Sequence, residues 1–294
     1  MPTPPPSAED LPGPWTHREA VVNGVRLHYA EAGQGPLVVL LHGFPEFWYS
    51  WRFQIPILAD AGFRVIAPDM RGFNLSAKPR GVAAYRLPLL VEDVAGLVRH
   101  AGVERAHVIG HDWGGVVAWH LAQTRPDCLD RLAILNAPHP AAYRRELGRS
   151  SQLFRSWYVL FFQVPLLPEL VCSWHRFALL RRALRQGPAR TDADLALYVR
   201  ALARPGGLTA VLNYYRAAFR ELRRGGPPGA AVEAPTLLLW GERDPYLAPG
   251  LTEGLHRWVR DIRVVRFPRA GHWLQIDEAG AVGAALINFF RESK

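Results

Sequence analysis

Short, continuous apolar runs punctuate the first half of the chain at residues 36–41 (PLVVLL), 63–67 (FRVIA), 107–110 (HVIG) and 132–135 (LAIL). None is long enough for a buried helix, β-branched residues recur in them, and each ends in turn formers, so they predict strands buried on both faces. Between them, residues 51–61 and 87–101 place apolar positions at helical spacing. Strands that alternate with helices predict a parallel sheet. Residues 18–32 contain AVVNGVRLHYAEA, in which Asn23-Gly24 separates two β-like runs. That dipeptide predicts a two-residue hairpin, here an antiparallel edge of the same sheet.

After residue 140 the alternation stops. Residues 143–224 show helical spacing of Leu, Phe, Trp and Tyr with no convincing buried strand, and strands resume at 235–240 (PTLLLW) and 262–267 (IRVVRF) before a last helix at 278–291. The expectation is an α/β fold: a mostly parallel eight-stranded sheet flanked by helices, its core split into residues 15–140 and 230–294. A helical cap over residues 141–229 enters after the sixth strand and lies over the carboxyl ends of the strands, where open α/β sheets bind ligands. Gly225-Gly226-Pro227-Pro228-Gly229 marks the return to the core. Residues 1–14 (MPTPPPSAEDLPGP) are proline-rich, with neither a basic start nor an apolar stretch, and read as a disordered extension rather than a signal peptide.

Composition adds bounds. The 294 residues are 49% hydrophobic, which suits one large core with an insert. No apolar run approaches the ~20 residues of a membrane span, and Cys128 and Cys172 lack metal-ligand spacing. A reducing, cytoplasmic compartment, no metal or cofactor, and a monomer or homodimer are the expectations. The net charge of +9 is uneven, because residues 144–224 hold 15 Arg and no Lys against Glu146, Glu169, Asp192, Asp194 and Glu221. A basic segment can serve nucleic acid or a membrane surface. These cations are spread singly along helical patterns without a glycine-aromatic RNA motif, and nearly all basic residues of the chain are Arg. That points to a composition bias and away from nucleic acid.

The chemistry concentrates after the third buried run, in Gly110-His111-Asp112-Trp113-Gly114-Gly115. A Gly-x-Asp-x-Gly turn between strand and helix is the nucleophile elbow of an α/β-hydrolase, with aspartate in place of the usual serine. Gly110 and Gly114 let the strand bend sharply and force the Asp112 side chain up into a cavity; the plainer reading is a helix N-cap. A carboxylate is ionised near neutral pH and can displace a leaving group from an sp³ carbon, so the reaction becomes alkyl transfer followed by ester hydrolysis. Partners occur in the required chain order of nucleophile, acid and histidine: Asp244 in Gly241-Glu242-Arg243-Asp244-Pro245, and His272 in Ala270-Gly271-His272-Trp273. Asn136 occupies the rival acid position and cannot balance an imidazolium. His272 would then activate water, Asp244 would orient the ring, and the backbone N–H groups of Phe44 and Trp113 would receive the oxyanion.

An epoxide leaves as a basic alkoxide and needs a proton donor facing Asp112. Tyr158, in Ser156-Trp157-Tyr158, and Tyr215, in Asn213-Tyr214-Tyr215-Arg216, offer phenols, although spacing alone leaves each equally a packing aromatic. HGFPEFWYSW, the DMRGF turn, GHDWGG, SWYVLFFQ, NYYR, WGERDPY and GHW together resemble the α/β-hydrolase-fold epoxide hydrolases, from about residue 16 to the end of the chain. The resemblance implies Asp112 as nucleophile, Asp244 and His272 as the charge-relay pair, and Tyr158 and Tyr215 as the phenols that hold the epoxide oxygen. Asn74 stands where many relatives have glycine, and Tyr214 where some have tryptophan. The substrate would be a small-molecule epoxide in a pocket lined by His42, Phe44, Trp48, Trp113, Trp157, Phe161 and Phe162. A haloalkane dehalogenase is the nearest rival, since Trp113 could hold a halide although Phe44 could not; a silent binding protein with an Arg-rich docking face is the other.

Overall fold

The computed structural model describes residues 11–148, 150–185, 190–223 and 230–292. Eight strands form one sheet: β1 (Thr16–Val22), β2 (Val25–Ala32), β3 (Leu37–Leu41), β4 (Arg64–Pro68), β5 (Ala106–His111), β6 (Leu129–Leu135), β7 (Thr236–Gly241) and β8 (Ile262–Phe267). Their order across the sheet is β1-β2-β4-β3-β5-β6-β7-β8. The β1–β2 hairpin turns through Asn23 and Gly24, both at positive φ, and β2 joins β4 antiparallel. All remaining pairs are parallel.

Alternate residues of the central strands feed two separate cores. Val39 and Leu41 of β3, Val108 of β5 and Ile134 of β6 face the layer containing α2 (Leu87–His100) and α3 (Trp113–Thr124). Val38 and Leu40, Ile109 and Leu135 face the opposite layer of α1 (Gln54–Asp60) and α11 (Ala279–Arg291). A sheet buried on both faces is why these runs read as continuous hydrophobics rather than alternating ones. The chain turns back at β3, sending α1 to one face and α2 and α3 to the other, so a crevice opens at the carboxyl ends of β3 and β5.

Among the described residues six helices lie between β6 and β7: α4 (Pro140–Leu147), α5 (Ser150–Arg155), α6 (Trp157–Phe161), α7 (Leu167–Leu184), α8 (Asp192–Ala203) and α9 (Gly207–Arg223). Helix α7 is broken, because Trp174 leaves helical geometry and His175, Arg176 and Phe177 take positive φ. After β8, the short α10 (Leu274–Asp277) precedes α11. The glycine-rich return at 225–229 and residues 1–10 of the expected N-terminal extension lie outside the described residues. Residues 11–14 of that expected extension are described, and there Leu11 is buried in the α1/α11 layer while its carbonyl accepts the Trp15 indole N–H at 3.2 Å.

Candidate active site

Asp112 sits between β5 and α3 with φ 48° and ψ −118°, a sparsely populated region that costs energy and persists only where its surroundings enforce it. The enforcement comes from close packing beneath it. A Cβ on Gly114 would lie 2.1 Å from the Leu41 carbonyl oxygen, and one on Gly110 2.5 Å from that of Gly114. The backbones of β3, β5 and α3 thus touch, and the side chain of Asp112 is driven into the crevice.

Three loops meet it there. Phe44, just after β3, donates its backbone N–H to Asp112 Oδ1 at 2.7 Å. His272, after β8, places Nε2 3.6 Å from Asp112 Oδ2 and donates Nδ1–H to Asp244 Oδ2 at 2.6 Å. Asp244, after β7, is fixed by further donors: the Tyr246 and Leu247 N–H groups on Oδ1 (2.7 and 3.0 Å) and the Asn136 amide on Oδ2 (2.7 Å). Burial works against charge on His272, but the carboxylates of Asp244 and Asp112 on either side reverse that and hold the ring up at about 10. Burial likewise opposes charge on Asp112, and the nearby His272 ring, with the Phe44 N–H, holds it below the ordinary carboxylate range. Charge on His272 and charge on Asp112 thus favour each other.

Two tyrosines enter from the helical insert. Tyr158 on α6 and Tyr215 on α9 pack edge to face with ring centroids 5.9 Å apart, and Tyr215 stands at 90° to Trp113 (4.9 Å) and beside Phe44 (5.6 Å). Burial, and after it the nearby Asp112 charge, push both phenols well above their usual 10.0, so both keep their protons across the physiological range. Tyr214 points elsewhere, its hydroxyl donating to the Arg71 carbonyl at 2.7 Å. The register of α9 separates the two neighbours.

Not every expected pocket residue faces this space. Phe162 does, packing on Tyr158, Tyr215 and Phe44, and half-buried Phe161 packs on Phe162. Trp48 does not, because its ring lies in the α1/α11 layer against Trp15 and His17. His42 is tied up structurally: its Nε2 accepts the Met70 N–H at 3.0 Å, which leaves Nδ1–H to donate to the Gly43 carbonyl. Trp157 is 62% exposed, since the helical turn that brings Tyr158 inward sends its neighbour out.

Other residues emerge only in three dimensions. Asn136, at φ 39°, carries no charge but clamps Asp244 and also accepts the Gly241 N–H. Behind His272, buried His111 donates Nε2–H to the His272 carbonyl at 2.9 Å, and its Nδ1 lies 3.2 Å from Glu46. Glu46 in turn accepts Arg190 at 2.9 Å and Gln275 at 3.1 Å, and the Arg190 guanidinium stacks 4.4 Å from the centroid of Trp273. Burial disfavours the Glu46 charge, yet the His111 hydrogen bond and Arg190 hold it below the ordinary range. Arginine just before a helical start gave no sign of this in the sequence.

Comparisons with known proteins give the fold and the family. A family model described as alpha/beta hydrolase fold matches residues 36–279. The chain is 41% identical to AB hydrolase superfamily protein YfhM of Bacillus subtilis (strain 168), over 92% of this chain and 96% of that protein. It is 38% identical to Epoxide hydrolase 3 of Xenopus tropicalis, over 92% of this chain and 76% of the relative. An epoxide hydrolase crystal structure from Bacillus megaterium superposes with a TM-score of 0.88 at 32% identity, covering 94% of this chain and all of the other.

Proposed function

The chain belongs to the α/β-hydrolase-fold epoxide hydrolases, and from that premise we propose that it opens an epoxide with water to a vicinal diol through an alkyl ester on Asp112. A carboxylate oxygen of Asp112 bonds to an epoxide carbon as the ring C–O bond breaks, and the leaving oxygen takes a proton from Tyr158 or Tyr215. Alkylation removes the Asp112 charge, so one of the two carboxylates that held the proton on His272 is gone. The ring can return a proton to the phenolate and becomes neutral. It then takes a proton from water as the hydroxide adds to the ester carbonyl, gives that proton to the diol oxygen as the ester C–O bond breaks, and recovers one from the Asp112 carboxylic acid so formed. The oxyanion forms where the Phe44 N–H already points, with the Trp113 N–H at the head of α3 as the second donor.

The observation that carries this reading is the pair of protonated phenols packed above Asp112, which an alkoxide leaving group requires and a halide does not. Trapping tests the reading. His272→Gln should form the ester and fail to hydrolyse it, so intact mass after mixing with an epoxide should rise by the mass of one substrate. Continued substrate consumption with an unmodified protein mass would overturn the covalent route.

A further inference from the structure

The helical insert carries an apolar face turned to solvent. Of thirteen large hydrophobic side chains exposed among the described residues, ten lie between Leu153 and Leu179. Phe154, Trp157, Leu160, Leu166, Leu170 and Trp174 are all more than half exposed, and Phe154 and Leu166 more than 70%. Phe154, Trp157 and Leu160 recur every third residue through α5 and α6, and Leu166, Leu170 and Trp174 every fourth from the start of α7, the spacing of a helix stripe that ordinarily turns inward. Apolar surface concentrated in this way marks an interaction site.

Charge indicates the occupant. Residues 147–191 contain seven Arg and a single acid, Glu169, and Glu169 is already bound by both terminal nitrogens of Arg216. Arg176 and Arg182 of α7 are exposed and Arg181 half-exposed; among the described residues none of the three forms an ion pair. A second copy of the chain fits poorly, because a two-fold interface would press this arginine-bearing segment, whose single acid is already taken by Arg216, against itself. Nucleic acid would match the arginines but leave the Leu, Phe and Trp side chains without a partner.

We propose that this face docks on an anionic lipid bilayer, with Trp157, Leu166, Leu170 and Trp174 entering the headgroup boundary and the α7 arginines meeting lipid phosphates. No helix among the described residues is long and apolar enough to cross a membrane, so the contact is with the surface. Helix α6 shows Trp157 to the bilayer and Tyr158 to the space above Asp112, which places the reaction site close behind the docked face.

The test is co-sedimentation of the full chain with phosphatidylcholine vesicles, with and without phosphatidylglycerol. Partition should be at least about tenfold stronger onto the anionic vesicles at low ionic strength and should fall as salt rises. Leu166→Asp with Leu170→Asp should cut partition by about tenfold or more, the loss expected for two apolar side chains withdrawn from the interface. Both side chains are exposed, so melting temperature and turnover of a water-soluble epoxide should stay at the wild-type level. Arg181→Glu with Arg182→Glu should remove the preference for anionic lipid. The proposal is overturned if the protein sediments no more with vesicles than without, or if either double variant partitions like the wild type. It is equally overturned if the protein is a dimer in sedimentation equilibrium that Leu166→Asp with Leu170→Asp dissociates.

Discussion

Asp244 accepts four hydrogen bonds from the loop that follows it, from His272 and from Asn136, whereas Tyr158 and Tyr215 reach the same space held largely by rings: each other, Phe162, Phe44, Trp113 and Tyr246. The floor of the site hangs on strand ends, where directional bonds fix each donor and acceptor. The roof hangs on helices of the insert, where aromatic packing sets position less sharply. The contrast follows from what each does. Charge that develops in a transition state must meet dipoles already in place, because reorganising them would raise the barrier. A phenol needs only to reach the leaving oxygen. Substitutions on the floor should therefore act on the rate steeply, and those in the roof should act more gently.

The largest expected effect is Asp244→Asn. The amide keeps the shape but loses the charge that holds the His272 proton, and turnover should fall by roughly four orders of magnitude, as when the acid of a Ser-His-Asp site is amidated. Initial rates on an epoxide measure it, and a loss below about tenfold would erase the contrast. The same pairing ties stability to pH. Because the folded-state value of His272 is raised from 6.5 to about 10, the contribution is complete below 6.5 and is lost as pH rises through 10. In Asp244→Asn that loss should begin at lower pH in melting-temperature profiles. Next in size is Arg190→Leu, which takes the arginine from Glu46 where the two side chains are 1% and 0% exposed and leaves it with Gln275 and His111. Breaking a buried ion pair should cost about 3 kcal/mol in denaturant unfolding, and Arg190→Lys should recover part of it.

In the roof, Tyr158→Phe and Tyr215→Phe should each lower epoxide turnover by roughly ten- to a thousandfold, with the double variant nearly inactive, because two donors share one proton transfer. The rings remain, so unfolding curves should hardly move. Halide release from haloalkanes by the wild type should stay below its slowest epoxide rate. Single variants that open epoxides at the wild-type rate would remove the phenols from the chemistry and favour the dehalogenase reading.

The same division governs how far the sequence could be read. β3, β5, β7 and their following loops were legible because a strand buried on both faces writes a run of apolar residues, and each functional loop follows it directly. Asp112, Asp244 and His272 needed only chain order and those runs. Trp48 and Trp157 were misplaced because an aromatic beside a motif looks the same whether its ring turns into the site, into a core layer or out to solvent. Only the local turn decides, as Trp157 and Tyr158 show on one helix. Tyr215 was separable from Tyr214 only through the register of α9. The Glu46–Arg190 contact spans residues far apart in the chain and carries no local pattern, and Asn136 was read correctly as no acid but without its clamp on Asp244.

The smallest effect sharpens the contrast at the point where the roof is anchored. Thr191, directly after Arg190, caps α8: its hydroxyl accepts the Asp194 N–H at 3.1 Å, and Asp194 Oδ2 accepts the Thr191 N–H at 2.9 Å. Asp194 also lies 3.5 Å from Arg52 of the core. Burial would raise the Asp194 pKa, but the Thr191 N–H and the Arg52 charge hold it below its ordinary 3.8. Thr191→Ala deletes the hydroxyl and should cost about 1 kcal/mol of stability, the usual worth of an N-cap. A depressed carboxylate contributes above its ordinary value and loses that contribution as pH falls through the folded-state value. The gap between wild type and Thr191→Ala should thus be widest near neutral pH and should narrow as Asp194 takes up its proton. If α8 serves only to anchor the roof, kcat should stay within about twofold of the wild type and any change should fall on KM, since a looser roof weakens substrate binding without touching the charges below it. A kcat loss comparable to that of Tyr158→Phe would instead mean that the roof is held as rigidly as the floor.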